Sequence, residues 1–205
     1  MSISQSKIVL LNLTELCAAV FRGPDEQGWR ELAIHGLPDL LGRVQKFSAL
    51  PAASLAALRD ALSPHVETGD FSPLETEYVR LFIAGPGGVP APLYESCHQD
   101  GACRTMGQSA LSMRHRLAEA GLEISLASNE PPDHLALELE YLFHLCAQGW
   151  PNDSAQAHEA ARFAGEVMEP WVRRFRAALA GAAPDPVYLA ATDAALALLQ
   201  AVAES

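Results

Sequence analysis

The chain has 205 residues, 49% of them hydrophobic, and a formal charge of −11. That length suits one domain with a sizeable core. The acidic balance argues against nucleic acid or an anionic membrane as partner and permits a cationic one. Alanine and leucine are abundant and β-branched residues few, which predicts an all-α fold.

No segment reads as long and apolar enough to span a membrane. The run from Ile8 to Phe21 follows Lys7 but is broken by Asn12, Thr14 and Glu15, so it reads as an amphipathic first helix and not as a signal peptide. Ile8, Leu11, Leu13, Leu16, Cys17, Val20 and Phe21 form its apolar face, and Gly23-Pro24 ends it. Short helices are predicted over 25–34, 38–47 and 52–62, with Gly36, Pro51 and Pro64 between them. Ser72-Pro73-Leu74-Glu75 is a helix start, with Ser72 as cap, proline at the first position and glutamate three residues on. That helix runs through Phe82 and stops at Gly85.

A loop rich in glycine and proline follows from Gly85 to Pro92, closed by Tyr94-Glu95-Ser96. It lacks the Gly-Lys-Ser/Thr of a phosphate loop. Cys97, His98 and Cys103 lie close together, but three candidates without paired spacing make an incomplete zinc set. The four cysteines (Cys17, Cys97, Cys103 and Cys146) show no disulfide-framework spacing, so reduced thiols are expected. A further helix is predicted over 106–121.

The densest stretch is Glu130 to Cys146. Pro131 and Pro132 preset the first turn of a helix, and Asp133 places a carboxylate at its electropositive start, as a cap or as a binding group. Leu135, Leu139, Leu142, Phe143 and Cys146 share one broad face. Leu137, Tyr141 and Leu145 stand opposite, interleaved with His134, Glu138, Glu140 and His144. A helix apolar nearly all round belongs inside a domain, where its polar groups must find partners or line a cleft. From residue 117 to 161 there is no lysine or arginine, while Glu119, Glu123, Glu130, Asp133, Glu138, Glu140, Asp153 and Glu159 carry negative charge.

A turn at Gly149–Asp153 then leads to a helix reaching Met168, which Pro170 kinks or restarts. Trp171, Phe175 and Leu179 continue an apolar stripe, with Arg173, Arg174 and Arg176 on the far side. After a turn over 181–186 a final helix is predicted from Val187 to Val202.

Enzyme classes find little support. The Glu-x-x-His pairs of di-iron bundles, the His-Glu-x-x-His of zinc proteases and a nucleophile elbow are all missing. The competing reading is a helical small-ligand or metal-binding protein, with Cys97, His98, Cys103 and the His134/Glu138 edge as candidate ligands.

Tyr78-Val79-Arg80-Leu81-Phe82, then Gly85, a proline-bearing loop and Tyr94-Glu95-Ser96, resembles the first signature of the TorD/DmsD/NarJ-type chaperones for redox-enzyme maturation. The stretch from Glu130 to Leu142 resembles their second, a Pro-x-Asp-His turn entering a helix. The resemblance covers roughly Ser72 to the C-terminus and departs from the pattern at Cys97-His98, where members often carry a hydrophobic or aromatic pair, and at Cys103. It implies one all-α, TorD-like helical bundle of about 8–10 helices over 1–205, without catalytic chemistry or cofactor. It also implies a cytoplasmic location and a monomeric state, with a dimer as the alternative.

Family members bind the twin-arginine signal peptide or apoprotein of a molybdopterin-containing oxidoreductase and hold it until its cofactor is inserted. Peptide binding carries over to Asp133, His134, Pro131 and Pro132, and further to Tyr78, Arg80, Pro92, Tyr94, Glu95 and Ser96. The physical reading is parallel: carboxylates are needed for the arginines and an apolar groove for the stretch after them. Asp133, Glu138 and Glu140 are the candidates for the first. Leu137, Tyr141 and Leu145, with Pro90 and Pro92, are the candidates for the second.

Overall fold

The computed structural model describes residues 3–47, 51–85, 87–99, 105–124 and 130–205, and among these every regular element is helical. The first helix, α1 (Gln5–Phe21), is capped by Ser4, whose hydroxyl oxygen accepts from the Lys7 N–H. It buries Leu13, Cys17, Val20 and Phe21 completely, while Ile8 and Leu11 stay half-exposed.

Helices α2 (Glu26–Glu31) and α3 (Leu37–Val44) were expected as separate pieces. A wide π turn, Leu32–Gly36, carries the backbone through Gly36 and joins them into one rod. The next helix, α4 (Ala52–Thr68), runs past Pro64 and ends at Gly69 in the left-handed conformation, φ +69°. In α5 (Ser72–Tyr78) the expected cap is not made. The Ser72 hydroxyl donates to Asp70 at 2.7 Å, and a π turn at Val79–Ile83 extends the helix to the predicted stop.

Helix α6 (Gln108–Glu119) and α7 (Leu135–Gly149) follow. The α8 (Ala155–Arg162) and α9 (Glu169–Gly181) segments are joined through a π turn at Phe163–Met168, immediately before Pro170. Pro170 thus falls directly after the π turn and does not end the rod. The last helix is α10 (Pro186–Ala203).

Helix α1 lies along α7 and α10, and α10 is also flanked by α4 and α9. Buried side chains from Val9 to Val202 join in one hydrophobic cluster. At its heart Phe21, Phe82, Phe175 and Tyr188 meet ring to ring at 5.3–6.0 Å, with Trp29 against Tyr188. The hydroxyls of this layer are satisfied by main chain: Tyr188 donates to the Leu74 carbonyl at 2.6 Å and Tyr78 to the Phe21 carbonyl at 2.9 Å. Contrary to expectation, one helix is long and apolar enough to cross a membrane: α10, with 18 residues and a mean hydropathy of 1.4. Ten of its side chains between Val187 and Val202 are core and 61% of the stretch is buried, so internal packing explains that composition.

Candidate functional site

The loop after α5 and the entrance of α7 are stitched together. Tyr94 and His134 form an isolated antiparallel bridge. Glu95 N–H donates to the Asp133 carbonyl at 3.0 Å, and Leu135 N–H donates to the Leu93 carbonyl at 2.8 Å. The Asp133 carboxylate accepts from the Ser96 N–H at 2.9 Å. Asp133 is fully buried and pins the loop from behind through one carboxylate oxygen, while its Oδ1 has no hydrogen-bond partner.

The cap of α7 is His134, one residue later than expected, because the Asp133 side chain is spent on Ser96. His134 Nδ1 accepts from the Ala136 N–H at 3.2 Å, which leaves the ring proton on Nε2. Burial holds this imidazole below the usual histidine range, so it stays neutral. Pro131 and Pro132 form the turn ahead of the helix and not its first turn, closed by His134 N–H donating to the Pro131 carbonyl. Tyr94 packs edge-on to the His134 ring at 5.4 Å and donates its hydroxyl to Glu130 at 2.7 Å.

In front of this seam lies an open cleft of about 770 Å³. Its α7 wall is Ala136, Leu137, Glu140, Tyr141 and His144, one helical face; Leu117, Leu122 and Ile124 stand across it. Glu123, Glu130 and Glu140 supply three carboxylates, and Tyr78 and His134 complete the lining. Arg22, at the end of α1, is the one arginine or lysine among the described lining residues, and it pairs with Glu140. The acidic stretch of sequence is therefore not without cations in space. Glu159 is likewise met by Arg116 at 2.5 Å.

Five of the expected peptide-binding residues line this cleft: Tyr78, His134, Leu137, Glu140 and Tyr141. Tyr94 supports it from the side. Others stand elsewhere. Arg80 forks onto Glu77 with two 2.6 Å bonds and reaches the Ala182 carbonyl, tying α5 to the turn before α10. Pro92 offers its carbonyl to His98 Nε2 at 2.6 Å. Ser96 is buried, and Glu95 lines a smaller cavity of about 190 Å³ beside Gln99 and Ser109. Of the expected apolar groove, Leu137 and Tyr141 line the cleft, while Leu145 is core and Pro90 and Pro92 do not line it.

Glu138 is the clearest displacement. It is fully buried, and its carboxyl accepts from Trp171 Nε1–H at 2.9 Å. Burial first, then the neighbouring Glu95 charge, hold it well above the usual carboxylate range. The fold binds the carboxyl proton more tightly than the unfolded chain does. The stability contributed is therefore full below the ordinary carboxyl value and is lost as pH rises through the raised one. Glu138→Gln, which still accepts from Trp171, is expected to melt above the native chain at pH 8, with the gap closing toward pH 5. A variant that loses ground as pH rises would mean the carboxyl is ionised in the fold.

The candidate metal ligands are also accounted for. His98 stacks on Trp171 at 5.7 Å and meets Phe175 edge-on, an aromatic role that fits the position's usual occupants. Cys17 and Cys146 are free, burial pushing both thiols up to about 12, while Cys97 is disulfide-bonded, against the expectation of reduced thiols throughout. Among the described residues no three His, Cys, Asp or Glu side chains are grouped to hold a metal ion; Cys103 lies outside them.

The functional residues missed at the sequence level were Arg22, Glu123 and Glu130. The α7 face had a local signal, since Ala136, Leu137, Glu140, Tyr141 and His144 repeat at helical spacing. Arg22 had none, because only the packing of α1 on α7 brings it there.

Comparison with known proteins gives concordant results. The family model described as nitrate reductase delta subunit matches residues 45–177. The Tat proofreading chaperone DmsD of Salmonella typhi is 30% identical over 141 residues, 69% of this chain and 64% of that protein. The chaperone protein TorD of Salmonella arizonae is 27% identical over 136 residues, 63% of this chain and 58% of that one. The chain thus spans less than two thirds of the length of the curated relatives it matches.

Proposed function

This chain belongs to the nitrate reductase delta subunit family, and from that premise we propose that it is a chaperone, not an enzyme, which binds the twin-arginine signal peptide of a redox-enzyme precursor. The client class is a molybdopterin-containing oxidoreductase, held on the cytoplasmic side until its cofactor is in place. The observation that carries this reading is the cleft at the mouth of α7. Three glutamates stand around a partly apolar hollow, at the seam formed by the two signature stretches. Guanidinium groups demand carboxylate acceptors held in place. Arg22 already pairs with Glu140 at this place.

The names of the DmsD and TorD relatives support the same role; of the metal-binding alternative's candidate ligands, Cys97 is disulfide-bonded, and His98, His134 and Glu138 are engaged in ring packing or hydrogen bonds. The proposal predicts a salt-sensitive interaction, because the cleft carboxylates are reached by solvent and their attraction is screened over about 8 Å at physiological ionic strength. Titrating a fluorescent leader peptide bearing the arginine pair should give an affinity that falls several-fold between about 50 and 500 mM salt. An affinity unmoved by salt would remove the electrostatic basis of the reading.

A further inference from the structure

A second cavity, of about 700 Å³, opens between α1, the π turn Leu32–Gly36 and α3. Its walls include Leu16, Ala19, Leu32 and Leu40, and it is far more apolar than the cleft at α7. Glu15, Glu31, Asp39 and Arg43 also stand among the lining residues. The π turn widens the rod at this place, and such turns recur at binding sites. Every lining residue lies between Asn12 and Arg43, outside the stretch 45–177 that matches the family model.

Arg22 belongs to the lining of both cavities. The groove and the acidic cleft are therefore neighbours that share the Arg22 side chain as lining. We propose that this groove receives the apolar segment that follows the arginine pair in the client's signal peptide. The proposal rests on the cleft reading above. A chain with its arginines on Glu130 and Glu140 enters the groove by displacing Arg22, and an apolar stretch of a few residues suits a hollow of this size and character. The acidic residues of the lining suit a cationic segment at its edge and disfavour an acidic one.

The test uses three leader peptides: Arg-Arg with a leucine-rich tail, Arg-Arg with a serine tail, and Gln-Gln with the leucine-rich tail. Each is titrated into the native chain and into Ala19→Phe, which fills the groove from an exposed helical position. Gly36→Leu is the second variant; a Cβ there meets nothing nearer than the Glu31 carbonyl at 3.9 Å. The serine tail is expected to cost the native chain about tenfold or more, since each buried methylene contributes roughly 0.8 kcal/mol. In both variants the leucine tail should lose that advantage, while the ratio of Arg-Arg to Gln-Gln affinity stays as in the native chain. A tail effect that persists in both filled variants, or that is absent from the native chain, overturns the groove assignment. Loss of the Arg-Arg preference in the native chain would instead overturn the cleft reading. Self-association that Ala19→Phe abolishes would assign the groove to a second copy of the chain and also overturn the proposal.

Discussion

Glu130→Gln combined with Glu140→Gln is expected to weaken binding of an Arg-Arg leader peptide by about 30- to 100-fold. A hydrogen bond to a charged group contributes about 1.5–3 kcal/mol, and two such contacts are neutralised at once. The lower part of that range applies because Glu140 is 40% exposed and competes with water. Glutamine keeps the acceptor that Tyr94 uses at Glu130, so the seam behind the cleft survives. Melting temperature should therefore barely move, as for most surface changes.

Arg22→Gln should act in the opposite direction. It frees Glu140 from its internal partner, and peptide affinity should rise by a few-fold. Isothermal titration on both variants and the native chain checks both signs. A double variant that binds like the native chain would leave the carboxylates without a role.

The second large effect concerns the frame that aims α7. Gly149 closes that helix against α8, and a Cβ built there would lie 2.2 Å from Ala157 N and 2.7 Å from its Cα. Those are main-chain atoms, which no rotamer change moves. Alanine is the better helix former by about 1 kcal/mol, so propensity alone predicts stabilisation. The clash decides otherwise. Overpacking of this kind costs up to about 3 kcal/mol, occasionally more, and Gly149→Ala is expected to lower the melting temperature by roughly 5–10 °C, at about 2–4 °C for each kcal/mol in a chain of this size. Gly42→Ala is the control: a Cβ there meets nothing within 4 Å, and that variant should be neutral or slightly more stable. Equal melting temperatures for the two would show that α7 and α8 do not approach as closely as described.

The helices were legible because their signals are local. Leu135, Leu139, Leu142 and Cys146 all proved core, as their spacing demanded. Breaks were harder to read. Gly36 looked like a stop and Pro64 like a boundary, yet a π turn and a continuing helix run through them, because packing outweighs a local preference of about 1 kcal/mol for glycine.

The site was half legible for a related reason. Helical spacing places Glu140, Tyr141 and His144 on one face, but it cannot tell which acidic neighbour meets solvent. Glu138 was taken for a cleft carboxylate and lies in the core under Trp171. Asp133 was weighed as a cap or a grip; the cap is His134, and one Asp133 oxygen ties down Ser96. Both facts depend on contacts with chain distant in sequence, as does the arrival of Arg22.

The central claim is that the cleft glutamates hold the arginine pair of a client peptide. The most direct measurement is the full cycle: native chain and Glu130→Gln/Glu140→Gln variant, each titrated with the Arg-Arg peptide and with its Gln-Gln counterpart. If the carboxylates hold the guanidinium groups, the arginine pair gives a large advantage on the native chain and almost none on the variant, so the two losses do not add. If the arginine preference persists undiminished on the variant, the peptide's arginines bind elsewhere and the claim fails.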